Sequence, residues 1–277
     1  MQYHRLSLRF HLPKAPPYFI GSQIRGALGH ALKQTVCVHP LMECKGCFAA
    51  ENCLYYDWYE KSGTYHPFRL DFELGKPYYD FTLYLFGDAV AKLPYVVSAL
   101  HRMLTRTGLG VERHRTDKFE FFVNGLSAWR DGHFTMPETS PQQLDIPSEP
   151  TPSRIKLTFV TPLRIKYQNR FVRQMDQLHL PTLIRSVYQR EQALLGFPPS
   201  KLPFRVEGEI TDRFGTFQDL TRFSYRQQGK LRVGGMMGEI TLEGLDDASY
   251  QILQKAQILG MGKQTVFGLG KVKVDTL

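Results

Sequence analysis

The chain lacks any run of eighteen apolar residues, so it holds no segment suited to cross a bilayer as a helix. Its opening stretch, Met-Gln-Tyr-His-Arg-Leu-Ser-Leu-Arg-Phe, lacks the apolar core of a signal peptide, and a cytoplasmic protein with no membrane partner is expected. Cysteine is scarce: there are 4, all between Cys37 and Cys53. A cytoplasmic setting argues against pairing them as disulfides. Acidic side chains fall short of basic ones, 26 Asp and Glu against 35 Lys and Arg, which leaves a net charge of +9. That balance favours a polyanionic partner, nucleic acid before membrane. The 277 residues, 42% of them hydrophobic, suffice for two domains of ordinary size or one large one.

Glycine is concentrated near the end, in Gly260-Met-Gly262-Lys-Gln-Thr-Val-Phe-Gly268-Leu-Gly270-Lys-Val-Lys-Val274. Two Gly-x-Gly pairs and three lysines stand there without an acidic residue. Such a turn can offer backbone N–H groups and positive charge to phosphate. The plainer alternative is a helix C-cap followed by a bulged terminal strand.

Taken in order, Tyr3 to Leu12 alternates as a strand. Ile24, Ala27, Leu28, Ala31, Leu32 and Val36 share one helical face from about Ser22 to Val36. His30 and Lys33 lie on the other face, three residues apart. Strands are expected over Phe68–Leu74, Asp80–Phe86 and Phe119–Val123. A helix is expected over Leu93–Leu104, with Pro94 in its first turn. After it come Gly108-Leu-Gly110 and the basic run Arg113-His-Arg115. The five prolines between Thr135 and Pro152 mark a linker. Beyond it, a strand over Ile155–Val160 and a helix over Pro181–Leu195 are expected. Strands follow at Phe204–Ile210, Phe217–Gln227 and Gly238–Leu242. A last helix is capped by Asp246 or Asp247 and stopped at Gly260.

Each half therefore reads strand–helix–strand–strand–helix–strand, the ferredoxin-like order. The expected fold is α+β, two tandem ferredoxin-like (RRM-like) domains. Residues 1–140 form the first, with a Cys-rich metal-binding insertion at 37–60, and 150–277 form the second.

Cys37, Cys44, Cys47 and Cys53, with a central Cys-x-x-Cys, suit tetrahedral zinc in a structural role. An iron–sulfur cluster is the runner-up, free thiols are the plain alternative, and His39 could replace one cysteine. Two basic segments interleave cations with aromatics. Arg164, Lys166, Arg170 and Arg173 surround Tyr167 and Phe171. Arg222, Arg226, Lys230 and Arg232 surround Phe223 and Tyr225. Neither segment contains an acid. Cations can hold phosphates while aromatics stack on unpaired bases. Solvated strand faces would show the same pattern.

Arg25-Gly-Ala-Leu-Gly-His30-Ala-Leu, the cysteine cluster after it, Phe159-Val-Thr-Pro-Leu-Arg164 and the closing glycine-rich loop together resemble one family. It is the CRISPR-associated endoribonucleases that process precursor guide RNA, the sixth Cas family, within the RAMP superfamily. The resemblance spans nearly the whole chain. It implies two ferredoxin-like domains, and a glycine-rich loop against RNA formed here by Gly260, Gly262, Lys263, Gly268 and Gly270. It also implies metal-independent cleavage within the CRISPR repeat, leaving a 2′,3′-cyclic phosphate or 2′-phosphate, with no cofactor for the chemistry. CRISPR repeat RNA is the implied partner; a CRISPR effector complex and a homodimer are compatible with it.

In that chemistry the RNA 2′-hydroxyl attacks the adjacent phosphate. A histidine suits the proton transfer and a cation suits the phosphorane charge. The residues that match the family are His30, Lys33 one turn away and Tyr18 just before the helix. His39 is the second candidate histidine, and His4, His114 and His179 stay open. The alternatives are a non-catalytic RNA-binding RAMP subunit of an effector complex and an unrelated zinc-stapled nucleic-acid-binding protein.

Overall fold

A computed structural model describes all residues except 64, 131, 147–149 and 225–228, with backbone alone at 130, 222–224, 230 and 231. The chain divides into two compact units. The N-terminal unit holds Gln2–Phe68 and Leu74–Gln143; the C-terminal unit holds Leu144–Leu277 together with Met1 and Arg69–Glu73. The cut thus falls within the proline-rich segment, and a short piece of the first half groups with the second.

In the N-terminal half the order is β1 (Gln2–Phe10), α1 (Gly21–Val36), β2 (Phe68–Phe72), β3 (Tyr79–Phe86), α2 (Leu93–Arg102) and β4 (Phe119–Val123). β1 lies antiparallel between β3 and β4, with Leu6 opposite both Leu83 and Val123. Alternation puts Leu6, Leu8 and Phe10 on the buried side, against Phe81, Leu83, Phe121 and Val123. Ile24, Leu28, Ala31 and Leu32 of α1 and Val96, Val97 and Leu100 of α2 are also buried. Each such Leu, Ile, Val or Phe side chain contributes about 1.5–3 kcal/mol when withdrawn from water. Their helical spacing turns the remaining faces, with His30, toward solvent.

The C-terminal half repeats the order with β5 (Arg154–Leu163), α3 (Leu180–Leu194), β6 (Glu209–Ser224), β7 (Gly229–Glu243), α4 (Asp247–Leu259) and β8 (Val272–Thr276). Its sheet runs β6-β7-β5-β8, antiparallel throughout. Two tandem ferredoxin-like domains of the α+β class are what the element order and this sheet describe.

One expectation is corrected here. The three strands read between Phe204 and Leu242 are two long ones, β6 and β7, and only Glu209 and Ile210 of the first segment are in a strand. Glycines broke the apolar pattern. Gly215 and Gly238 face each other across the ladder with φ of 154° and 131°. A Cβ on either would come 2.1 Å from the carbonyl oxygen of Met237 or Phe214, so the crossing excludes any side chain there. The linker reading is also narrower in fact, because Gln142 and Gln143 pair with Tyr3 and Gln2. Asp246 is the N-cap of α4, accepting the Ser249 N–H at 2.8 Å.

Candidate functional site

The glycine-rich loop starts where α4 stops. Gly260 takes a φ of 77° and donates its N–H to Ala256, closing the last turn. The free carbonyls of that turn are met by two buried arginines. Arg69 donates from Nη1 to the carbonyls of Gln257 (2.9 Å) and Ile258 (2.5 Å), and Arg190 donates from Nε to Leu259 (2.8 Å). Cations are favoured at this negative end of the helix dipole. Arg69 is fully buried and donates from Nη2 to Asp71 at 2.7 Å; Lys271 reaches the other Asp71 oxygen at 2.6 Å. Lys255 pairs with Glu191 at 2.7 Å. None of Arg69, Asp71 and Arg190 stood out in the sequence. The available signal was a charged residue at every second place in the otherwise apolar strand Phe68–Phe72.

Inside the loop, most backbone N–H groups are used by the fold. Met261 donates to Gly270, Lys263 to Arg164, Gly268 to Thr265 and Gly270 to Pro162. Thr161 Oγ1 donates to the Gly268 carbonyl and accepts the Lys271 N–H. The glycines are needed for packing. A Cβ at Gly268 would lie 2.1 Å from the Phe72 ring, and one at Gly270 would lie 1.8 Å from the Met261 oxygen. Gly260, Gly268 and Gly270 are buried, Gly262 is half-buried, and Lys263 stands exposed at the turn. The loop is thus a rigid mount for one cation, a different use of glycine from an open backbone cradle.

Arg164, whose carbonyl accepts the Lys263 N–H, begins the first basic segment. Its guanidinium lies 3.7 Å from the Phe171 ring centroid and donates to the Gly234 carbonyl at 3.1 Å. Burial, then the neighbouring Arg173, hold its pKa below the ordinary arginine value, with Asp219 acting in the opposite sense. Lys166 pairs with Phe171 and Tyr167 with Arg170 in a tight hairpin, turned by Gln168 and Asn169 at φ of 46° and 66°. Arg173 lies over Phe217 at 4.9 Å, and Tyr167 packs on His179 at 4.1 Å. Arg170, Arg173 and Lys263 are therefore the exposed cations, while Arg164 is built into the fold. In the second basic segment, Tyr225 and Arg226 and the side chains of Arg222, Phe223 and Lys230 lie outside the described residues.

On α1, His30 is exposed, and its Nε2 lies 3.3 Å from Gln34 Nε2. Thr107 donates to Gln34 Oε1 at 3.3 Å, which orients the amide toward the imidazole. Partial desolvation, then Arg113 and Lys33, hold the His30 pKa below its ordinary value. Lys33 Nζ is 5.0 Å from the Tyr55 ring, whose hydroxyl donates to Glu60. The sequence named Arg113 only as part of a basic run; the Leu109–His114 bridge closes the loop that carries it. Tyr18 does not join this group. It precedes α1, whose first residue is Gly21, and its carbonyl accepts the Gly75 N–H.

The other histidines have local duties. His39 Nδ1 accepts the Leu41 N–H. His4 is buried against Asn124, and burial lowers its pKa. His114 Nε2 is 2.6 Å from Glu112.

Cys37, Cys44, Cys47 and Cys53 are free and half-buried. Among the described residues, no group of three or more His, Cys, Asp or Glu side chains is placed to hold a metal ion. As placed, the four thiols do not form the tetrahedral set that their spacing predicts, and no chemical step is routed through a metal. The sulfur of Cys37 lies 3.9 Å from the His39 carbonyl instead.

Comparison with known proteins bears on the glycine-loop half first. Residues 157–272 match the family model described as CRISPR-associated endoribonuclease Cas6. Over those residues the chain is similar to the Cas6 family. Residues 1–124 match the family model AF_1859_N, described as an N-terminal domain. Among solved structures, a product complex of the Thermus thermophilus Cas6 TTHB231 superposes with a TM-score of 0.59 at 17% identity, covering 99% of each chain. A product complex of the Cas6 TTHA0078 gives 0.56 at 16%, covering 99% of this chain and 100% of that one. A partial Cas6-RT-Cas1–Cas2 complex gives 0.57 at 14%, covering all of this chain and 46% of that one. No curated protein matches the sequence. At these identities the structural likeness establishes the Cas6 fold. Among the described residues no helix is long and apolar enough to cross a membrane.

Proposed function

We propose that this chain binds CRISPR repeat RNA and cuts it by attack of a ribose 2′-hydroxyl on the adjacent phosphate, with no metal in the reaction. The observation that carries this reading is the polar face of α1, where His30 is held by Gln34 beside Lys33 and Arg113. The bond from the 2′-oxygen to phosphorus forms while the bond from phosphorus to the 5′-oxygen breaks. Neutral His30 takes the 2′-hydroxyl proton on Nε2, where the ribose hydroxyl displaces the Gln34 amide, and solvent water protonates the leaving 5′-oxygen. Lys33 and Arg113 meet the negative charge that grows on the phosphorane. A depressed imidazole pKa suits this role, since it keeps the ring in its basic form near neutral pH. Lys263, Arg170 and Arg173 supply phosphate contacts on the C-terminal unit. The family and the solved product complexes support the substrate. An effector complex or a second copy of the chain as partner is a further proposal in line with it.

The test is single-turnover cleavage of labelled repeat RNA in EDTA, comparing the wild type with His30→Ala. Tight binding without cleavage by the wild type would instead make the chain a non-catalytic RNA-binding subunit.

A further inference from the structure

We infer that a basic pocket on the N-terminal unit holds one nucleotide of single-stranded RNA outside the cleavage site, its phosphate on Arg102 and Arg106 and its base on Phe134. This rests on the RNA reading above. The pocket measures about 300 Å³ and is lined by Thr35 of α1, Ser98, His101 and Arg102 of α2, Arg106 and Phe134. That is at the lower edge of small-ligand pockets, about 300–1,000 Å³. No lining residue is acidic.

The two arginines are placed by the end of α2. Arg102 is its last residue, and Arg106 lies in the widened turn Met103–Thr107 that continues it. Residues four apart on a helical turn are neighbours, and like charges so placed repel. Among the described residues neither guanidinium meets a carboxylate. An anion between them relieves the repulsion, and guanidinium geometry suits phosphate.

The other wall is aromatic. Phe134 belongs to a two-residue ladder with Trp129, and its ring rests 5.6 Å from Phe121. His101 packs against Trp129 at 5.4 Å and against Phe119 at 6.3 Å. Burial, then Arg106, hold its pKa below the ordinary value, so near neutral pH it extends the apolar wall. A charged side and an aromatic side facing one small cavity match a nucleotide's two halves. The pocket also adjoins the face of α1 that carries His30. Gln34, next to Thr35, touches His30 and accepts from Thr107, next to Arg106. Thr35 in the pocket wall lies five residues past His30, ~7.5 Å along α1, within reach of a strand leaving His30.

The experiment measures fluorescence anisotropy of labelled decauridylate, which contains no repeat sequence, with the full-length protein. Arg102→Ala/Arg106→Ala is expected to weaken binding roughly tenfold or more, the scale of charged hydrogen bonds. Its salt slope should shrink by roughly 0.7, for one phosphate contact on a single strand. Phe134→Leu should weaken binding while the salt slope stays as in the wild type. Single-turnover cleavage of repeat RNA at saturating protein should keep its wild-type rate in both variants. Unchanged decauridylate affinity in the double variant, or no binding by the wild type, overturns the inference. If the wild type fails to cut repeat RNA but binds decauridylate in an arginine-dependent way, the nuclease reading falls and the pocket stands.

Discussion

Arg69 has no access to solvent, yet its charge is used several times over. It caps two carbonyls of α4 and pairs with Asp71, which Lys271 also holds. Removing one partner from a buried pair strands the other and typically costs about 3–5 kcal/mol. Here Lys271 stays beside Asp71, so Arg69→Met is expected to cost roughly 3 kcal/mol, at the low end of that range. Urea unfolding measures it, and a loss below about 1 kcal/mol, the value of one ordinary hydrogen bond, would contradict the clamp. The sequence showed that a helix ends at Gly260, because glycine permits the positive φ there. It did not show what holds that end, because Arg69 lies 188 residues before Gln257. At His30 the sequence supplied the residue and its polar face by helical spacing. Gln34, Thr107 and Arg113 came from the structure, since Thr107 is 73 residues from Gln34. The His30 pKa also sets a pH dependence. Its depressed value means that the imidazole stays neutral until the pH falls below the ordinary range near 6.5. The cleavage rate should hold from neutral pH down to about that value and then decline. A decline that begins above neutral pH would exclude His30 as the base.

Two loops differ in how well spacing revealed them. The glycine-rich loop was legible as a helix stop leading into a strand, and the residues that stop and restart the chain are where the pattern put them. Its glycines serve close packing against Phe72 and Met261, which no local pattern reports. Lys263 is left as the exposed cation, with Arg170 on the neighbouring hairpin. Replacing Arg170 and Lys263 by alanine should reduce the salt slope of RNA binding by roughly 1.4–1.8, counting 0.7–0.9 per phosphate contact. The thermal midpoint should stay unchanged, because both side chains are exposed. Salt-insensitive binding by the wild type would rule out this surface. Arg164 is unsuited to the same test, since its stacking on Phe171 and its bond to Gly234 are structural. In the cysteine loop, spacing and geometry disagree. A zinc proposal requires residues 37–53 to close so that Cys37, Cys44, Cys47 and Cys53 converge. Such closure predicts about one zinc per purified chain, lost in Cys44→Ser/Cys47→Ser. Elemental analysis decides, and metal-free protein of equal stability contradicts it.

At the scale of the whole molecule, the surplus of 35 basic over 26 acidic residues pointed to a polyanion, and the proposed function takes that polyanion to be RNA. The tandem βαββαβ order was legible because helical and strand periods alternate clearly along both halves. The grouping of Arg69–Glu73 with the C-terminal unit was not legible, since it depends on contacts far apart in sequence.

The central claim is that His30 moves a proton in a reaction that needs no metal. Its most direct test is the single-turnover rate of repeat-RNA cleavage in EDTA, with protein in excess. The account predicts full activity for the wild type and a loss of about 10²–10⁴-fold for His30→Ala, the usual range for general acid–base help, with RNA affinity retained. Wild-type rates in His30→Ala, or a wild-type activity that EDTA abolishes, would contradict it.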